Sequence, residues 1–187
     1  MSEIRLIFIR HGEAANAWGD HHDPNLSENG LYQAKKLVNH KRLLNLQNYF
    51  FISSPKLRAR ETAKPLAKKF NKDVIINKAF TEIPSKDIDL SEKQKWLKKI
   101  LNTKKEELPK YIKSWKDNIF DQLMNIKNHS VIFTHFMVMN SIVSNLKDSE
   151  TLLCFYPDYT SMLEIVIDNK KIQSFSIENN KKTYINL

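Results

Sequence analysis

Two histidines and two arginines stand where this chain could handle a phosphoryl group. Arg10-His11-Gly12-Glu13 follows an apolar run at residues 4–9, Arg58 follows Ser53-Ser54-Pro55 after a second run at 49–52, and Thr134-His135 closes a third. A neutral imidazole is nucleophilic near neutral pH, and a guanidinium presents a planar fork of donors that grips phosphoryl oxygens in pairs. Only Arg5, Arg10, Arg42, Arg58 and Arg60 are arginine among 30 basic residues, so arginine kept at 10 and 58 fits a geometric requirement. If the runs are neighbouring strands of an open α/β sheet, their ends share one edge and these four side chains converge on one cleft.

The same residues carry a family resemblance. Leu6-Ile7-Phe8-Ile9-Arg10-His11-Gly12-Glu13 resembles the RHG signature of the histidine phosphatase superfamily, the phosphoglycerate mutase-like proteins. Residues 26–34 (LSENGLYQA) resemble its L-[ST]-E-x-G-x-x-Q-A segment, and residues 53–63 (SSPKLRARETA) resemble its S-[SPD]-L-x-R-A-x-[QE]-T-A segment. Val131-Ile132-Phe133-Thr134-His135 is similar to the strand that carries the family's second histidine. Four motifs in order make the resemblance specific.

The resemblance implies that His11 is the nucleophile that accepts the phosphoryl group and is later freed by water. It further implies that Arg10, Arg58 and a cationic His135 hold the phosphoryl oxygens, and that the acid after the third strand, here Glu82, protonates the leaving group. The chain departs from the pattern twice. Better-known members follow that Glu with Gly and Trp where this chain has Ile83-Pro84-Ser85, which leaves Glu13 and Asp87 as alternative donors. Asn16, a candidate phosphate ligand, stands about one residue off the commonest spacing, with backbone amides near Gly12 as a substitute. Trp18 is a candidate pocket wall. Lys56 and Lys86 are cations close in sequence to the expected cleft. Two-step transfer with charge neutralisation requires neither metal nor cofactor, and His21-His22 lacks a spaced partner such as H-x-x-x-H, so no metal site is expected.

The elements that must position these residues are legible as alternating strands and helices. Strands are predicted at 4–9, 49–52, 74–76 and 130–134, with a closing antiparallel hairpin at 162–167 and 172–177. Ser27 caps a first long helix running toward Leu46, residues 58–70 form a second, and a further helix starts near Val138. Residues 86–128, polar and lysine-rich, read as a helical insert, and residues 178–182 as a charged exposed end. The expected fold is α/β, a three-layer sandwich around a mostly parallel sheet, phosphoglycerate mutase-like, in a single domain over 1–187.

Composition bounds the remaining classes. With 187 residues, 41% apolar and 27% charged, the chain is an ordinary globular one. The lone Cys154, in an apolar run, reads as a buried thiol, and the short N-terminal apolar stretch interrupted by Arg5 is no leader or span, so a cytoplasmic location is expected. The net charge of +9 raises a nucleic-acid-binding alternative, but the lysines are spread along the chain and no nucleic-acid motif is present. The reading is a metal-independent phosphomonoester hydrolase acting through a phosphohistidine, with mutase activity as the alternative. Its expected partner is a small phosphorylated substrate or a phosphoprotein, and neither nucleic acid nor membrane. Neither substrate identity nor oligomeric state is legible.

Overall fold

Residues 4–10 form a strand buried on both faces. Leu6 and Phe8 enter one apolar cluster and Ile7 and Ile9 another, which explains a continuous apolar run in place of alternation. In the computed structural model, which describes residues 3–17, 20–85 and 87–178, this strand β1 (Ile4–Arg10) lies inside one six-stranded sheet with β2 (Phe50–Ser53), β3 (Val74–Ile76), β4 (Ser130–Thr134), β5 (Met162–Asp168) and β6 (Lys171–Ile177). The order is β3-β2-β4-β1-β5-β6. The first four are mutually parallel, and β5 and β6 are antiparallel additions, with Ile9 opposite Met162 and Phe133 opposite both Ile9 and Ser53.

Helices cover both faces. On one, α2 (Leu57–Phe70) buries Ala59, Ala63 and Leu66 against Phe51, Val131 and Phe133, and α1 (Glu28–Lys36) packs against α2. On the other, α4 (Lys110–Asn125) and α5 (Phe136–Leu146) bury Ile119, Leu123, Val138 and Ile142 against Leu6, Phe8 and Ile132. Between β3 and β4, α3 (Lys93–Asn102) joins the start of α4 and the segment around Leu152 in a separate small core through Leu97, Ile100 and Ile112. Among the described residues, no helix is long and apolar enough to cross a membrane.

Three boundaries differ from expectation. The first helix ends at Lys36, not near Leu46, and gives way to 3-10 turns at Leu37–Asn39 and Lys41–Leu43. His40 is extended at φ −71°, ψ 127°, and its ring accepts from the amide of Arg42, a local cap that stops helix propagation. The α5 helix starts at Phe136, directly after His135, two residues earlier than the apolar spacing indicates. Residue Glu178 is not an exposed end: its carboxylate accepts from the Met162 amide at 3.1 Å and lies 3.2 Å from His40 Nε2. The rest of that tail, Trp18 and Lys86 lie outside the described residues.

Two glycines set the approach of the loop after β1 to α1. A Cβ on Gly12 would stand 2.7 Å from the Gly30 carbonyl oxygen, and one on Gly30 would stand 2.1 Å from that of Glu13. Both obstacles are backbone, so neither position has room for a side chain.

Candidate active site

A cleft of about 600 Å³ opens beyond the C-terminal ends of β1, β2 and β4, bounded by Ala14, Asn16, His21, His22 and Pro24, by residues 81–85 and by Lys93 at the start of α3. Arg10, His11, Arg58, Glu82 and Asn16 all line it. His135 does not; it is fully buried behind His11, with ring centroids 5.2 Å apart.

His11 is fixed by its backbone first. Its amide donates to Thr134 O at 2.9 Å, tying β1 to β4 at the sheet edge. Its Nδ1 lies 2.7 Å from Gly12 O, and because a carbonyl only accepts, Nδ1 carries the proton and Nε2 is left with a lone pair. Arg58 Nε donates to that lone pair at 3.1 Å. Burial, then the Arg58 and Arg10 charges, hold the imidazole well below the ordinary histidine pKa of 6.5, against the opposing hydrogen bond to Gly12. The result is a neutral imidazole with a defined tautomer, the form a nucleophile needs.

The two guanidiniums are braced differently. Arg10 lies over the Tyr159 ring at 4.2 Å and near the Phe136 ring at 5.1 Å, while one terminal nitrogen donates to Pro157 O at 2.7 Å. Its Nε is buried with no hydrogen-bond partner. Arg58 sits in the first turn of α2, whose start is capped from a distance: Asp23 Oδ1 accepts from the Leu57 amide at 3.0 Å and lies 3.8 Å from Arg58 Nη1. Thr62, one turn further, accepts from the Gly12 amide and donates to Arg58 O. Burial lowers both guanidinium pKa values, with the nearby carboxyls Glu82 and Asp158 or Asp23 acting the other way.

Glu82 reaches the cleft from the loop after β3. Its carboxyl accepts from the Ile83 amide at 2.9 Å and from the Met137 amide, in the first turn of α5, at 3.2 Å. Burial nevertheless raises its pKa above 4.5, outweighing those hydrogen bonds and both arginines. A carboxyl whose pKa is raised holds its proton to higher pH than an ordinary carboxyl and is the better proton donor for it. Of the alternative donors, Glu13 is engaged with Ser27 Oγ at 2.6 Å and Asn29 at 3.1 Å, and neither it nor the exposed Asp87 lines the cleft. Asn16 stands exposed on the rim.

The expected cationic His135 is corrected. Burial, followed by the charge of Arg58 and the neighbouring His11, Lys56 and Arg10, holds it well below 6.5, so it is neutral in the free site. Its Nε2 is 2.7 Å from Ser54 Oγ, and its Nδ1 has no partner. His21 and His22 both face the cleft, and among the described residues no group of three or more His, Cys, Asp or Glu is placed to hold a metal ion.

Sequence reasoning missed Tyr159, Phe136, Asp23 and Lys93. Phe136 had a signal in its adjacency to His135. Tyr159 had none: it arrives through an irregular segment whose Thr160, at φ 59°, donates its amide to Arg10 O at 3.1 Å.

Comparisons with known proteins identify the family and the fold. Residues 6–180 match the histidine phosphatase superfamily (branch 1). Over 82 residues the chain is 39% identical to a 2,3-bisphosphoglycerate-dependent phosphoglycerate mutase of Thermoplasma acidophilum, a match spanning 41% of this chain and 40% of that relative's length. Its fold is similar to that of a phosphoserine phosphatase from Entamoeba histolytica solved with 3-phosphoglyceric acid, with a TM-score of 0.70, 23% identity and coverage of 94% of this chain and 98% of the other. A mycobacterial glucosyl-3-phosphoglycerate phosphatase aligns with a TM-score of 0.70, 17% identity and coverage of 96% and 100%.

Proposed function

This chain belongs to the histidine phosphatase superfamily, and from that premise we propose that it hydrolyses phosphomonoesters through a phosphohistidine formed on His11. The observation that carries the reading is the set His11 Nε2, Arg58 Nε 3.1 Å away, and an Arg10 whose buried Nε lacks an acceptor.

In the first step, His11 Nε2 attacks phosphorus, the bond to the ester oxygen breaks, and Glu82 gives that oxygen its proton. In the second, the Glu82 carboxylate takes a proton from water as the water oxygen attacks phosphorus, releasing phosphate and restoring neutral His11 and protonated Glu82. Arg10 and Arg58 hold the equatorial oxygens, where charge neutralisation supplies most of the catalysis. His135 props the His11 ring, and an arriving dianion raises its pKa, so that it can share the load once the site is filled. No cofactor enters this cycle.

The test is phosphate release from 4-nitrophenyl phosphate in EDTA, comparing the wild type with His11→Ala and Glu82→Gln. Turnover in EDTA that vanishes in His11→Ala supports the reading. Wild-type turnover no greater than that of His11→Ala, on aryl phosphate and on a panel of phosphorylated metabolites, contradicts it.

A second reading, phosphoryl transfer between acceptors in the manner of a mutase, draws on the 39% identity to the Thermoplasma enzyme. It predicts exchange of phosphoryl groups between phosphoglycerate isomers without matching release of phosphate.

A further inference from the structure

Residues 157–161, between α5 and β5, hold Arg10 at three points. The Arg10 amide donates to Ser161 O at 3.1 Å, the Thr160 amide donates to Arg10 O at 3.1 Å, and Arg10 Nη1 donates to Pro157 O at 2.7 Å. Among these anchors in the chain stands Tyr159, whose ring centroid lies 4.2 Å from the guanidinium carbon of Arg10. The same centroid is 6.3 Å from that of the His11 ring, so one side chain borders both the guanidinium and the nucleophile.

The segment is strained and braced from within. Thr160, which is β-branched, sits at φ 59°, in the left-handed region that such residues avoid. The Tyr159 amide donates to Asp158 Oδ1 at 2.8 Å, and the amide and hydroxyl of Ser161 both donate to Asp158 O. A strained backbone persists where its surroundings over-determine it, and what this one delivers is Tyr159 against Arg10. The donors of a guanidinium all lie in one plane. The bond from Nη1 to Pro157 O anchors one corner and leaves that plane free to tilt about the bond, whereas a ring over its face removes the tilt. With corner and plane both set, the buried Nε, which has no acceptor, keeps a fixed direction.

We propose that Tyr159 is a positioning residue for phosphoryl binding: its ring sets the plane of the Arg10 guanidinium, so that the unpartnered donors meet the phosphoryl oxygens in one orientation. The inference rests on the hydrolase reading for where the phosphoryl group sits. It assigns the work to the ring and not to the phenol hydroxyl.

Inorganic phosphate tests this, because calorimetry reads its binding without turnover. Tyr159→Leu should raise the phosphate Kd about tenfold, and Tyr159→Phe, which keeps a ring, should stay within about threefold of the wild type. Tyr159→Met is a second variant without a ring, read in the same way. Tyr111→Leu, which removes an exposed ring at the start of α4, should leave the Kd at its wild-type value. The same Tyr159 change is then made in an Arg10→Gln protein, where Arg58 still holds the anion but no guanidinium is left for Tyr159 to orient. There Tyr159→Leu should alter the Kd by less than about twofold, whereas a ring with a merely structural role costs the same factor in both backgrounds. Equal losses in both backgrounds, or phosphate binding by Tyr159→Leu and Tyr159→Met at the wild-type Kd, overturn the proposal. The expected pattern without hydrolysis of any phosphomonoester by the wild type keeps the positioning role and removes the hydrolase reading. Absence of phosphate binding by the wild type overturns both.

Discussion

The ends of β1 and β4 each deliver a histidine to the same sheet edge, and the two rings pack 5.2 Å apart, yet they are built for different work. His11 lines the cleft, donates through Nδ1 to Gly12 O and presents Nε2 to Arg58. His135 is sealed beneath it, held through Nε2 by Ser54 Oγ, with Nδ1 unpartnered. Burial keeps both neutral, so protonation state does not distinguish them. What differs is which nitrogen keeps a lone pair by its tautomer and whether the ring meets the cleft. The backbone decides this: a carbonyl one residue away fixes the tautomer of His11, whereas the partner of His135 is a hydroxyl that can donate or accept.

If that contrast is right, the two histidines respond unequally to replacement. His11→Gln should reduce kcat on any phosphomonoester by on the order of 10³-fold or more, as loss of a nucleophile does. A rate in steady-state assays within tenfold of the wild type would break the comparison. Glu82→Gln should cost alkyl phosphates about 10²–10⁴-fold and aryl phosphates far less, because an activated leaving group needs little protonation. Since the Glu82 pKa is raised from 4.5, the alkyl phosphatase rate of the wild type should hold above the ordinary carboxylate range and fall as pH rises through the raised value. The Gln variant should lack that limb.

His135→Asn should act on rate only by loosening the His11 ring, a loss of roughly 10²-fold or less. A loss as large as that of His11→Gln would mean that His135 takes part in the covalent step. The smallest effect is on stability. Both histidines have folded pKa values below the unfolded 6.5, so below pH 6.5 the unfolded chain binds more protons and stability is lost as pH falls, by at most about 1.4 kcal/mol per pH unit for each. The raised Glu82 pKa acts in the opposite sense above 4.5. Thermal unfolding should therefore show Tm dropping between pH 7 and pH 5, with a shallower drop in His135→Asn.

Much of the sheet was legible because β1, β2 and β4 are short apolar runs that stop at polar residues, and the stops are the site. Arg10, His11 and Arg58 could be placed together from strand ends alone. The protonation state of His135 could not, because it depends on complete burial behind His11, which the sequence spacing does not encode. Tyr159 and Lys93 escaped for a related reason. Tyr159 reaches Arg10 only because β5 pairs antiparallel with β1, Ile9 opposite Met162, and Lys93 was one of many lysines in a polar helical stretch. Asp23 lay in a loop whose neighbouring histidines drew the attention, whereas its carboxylate caps α2 and faces Arg58.

The central claim is that His11, and not His135, carries the phosphoryl group. A reaction with 4-nitrophenyl phosphate should be quenched in alkali, where phosphohistidine survives, then digested and mapped by mass spectrometry. The account predicts a phosphoryl adduct on the peptide containing His11, absent from the His11→Gln protein and retained in His135→Asn. An adduct on His135, or hydrolysis with no histidine adduct at any quench time, would contradict it.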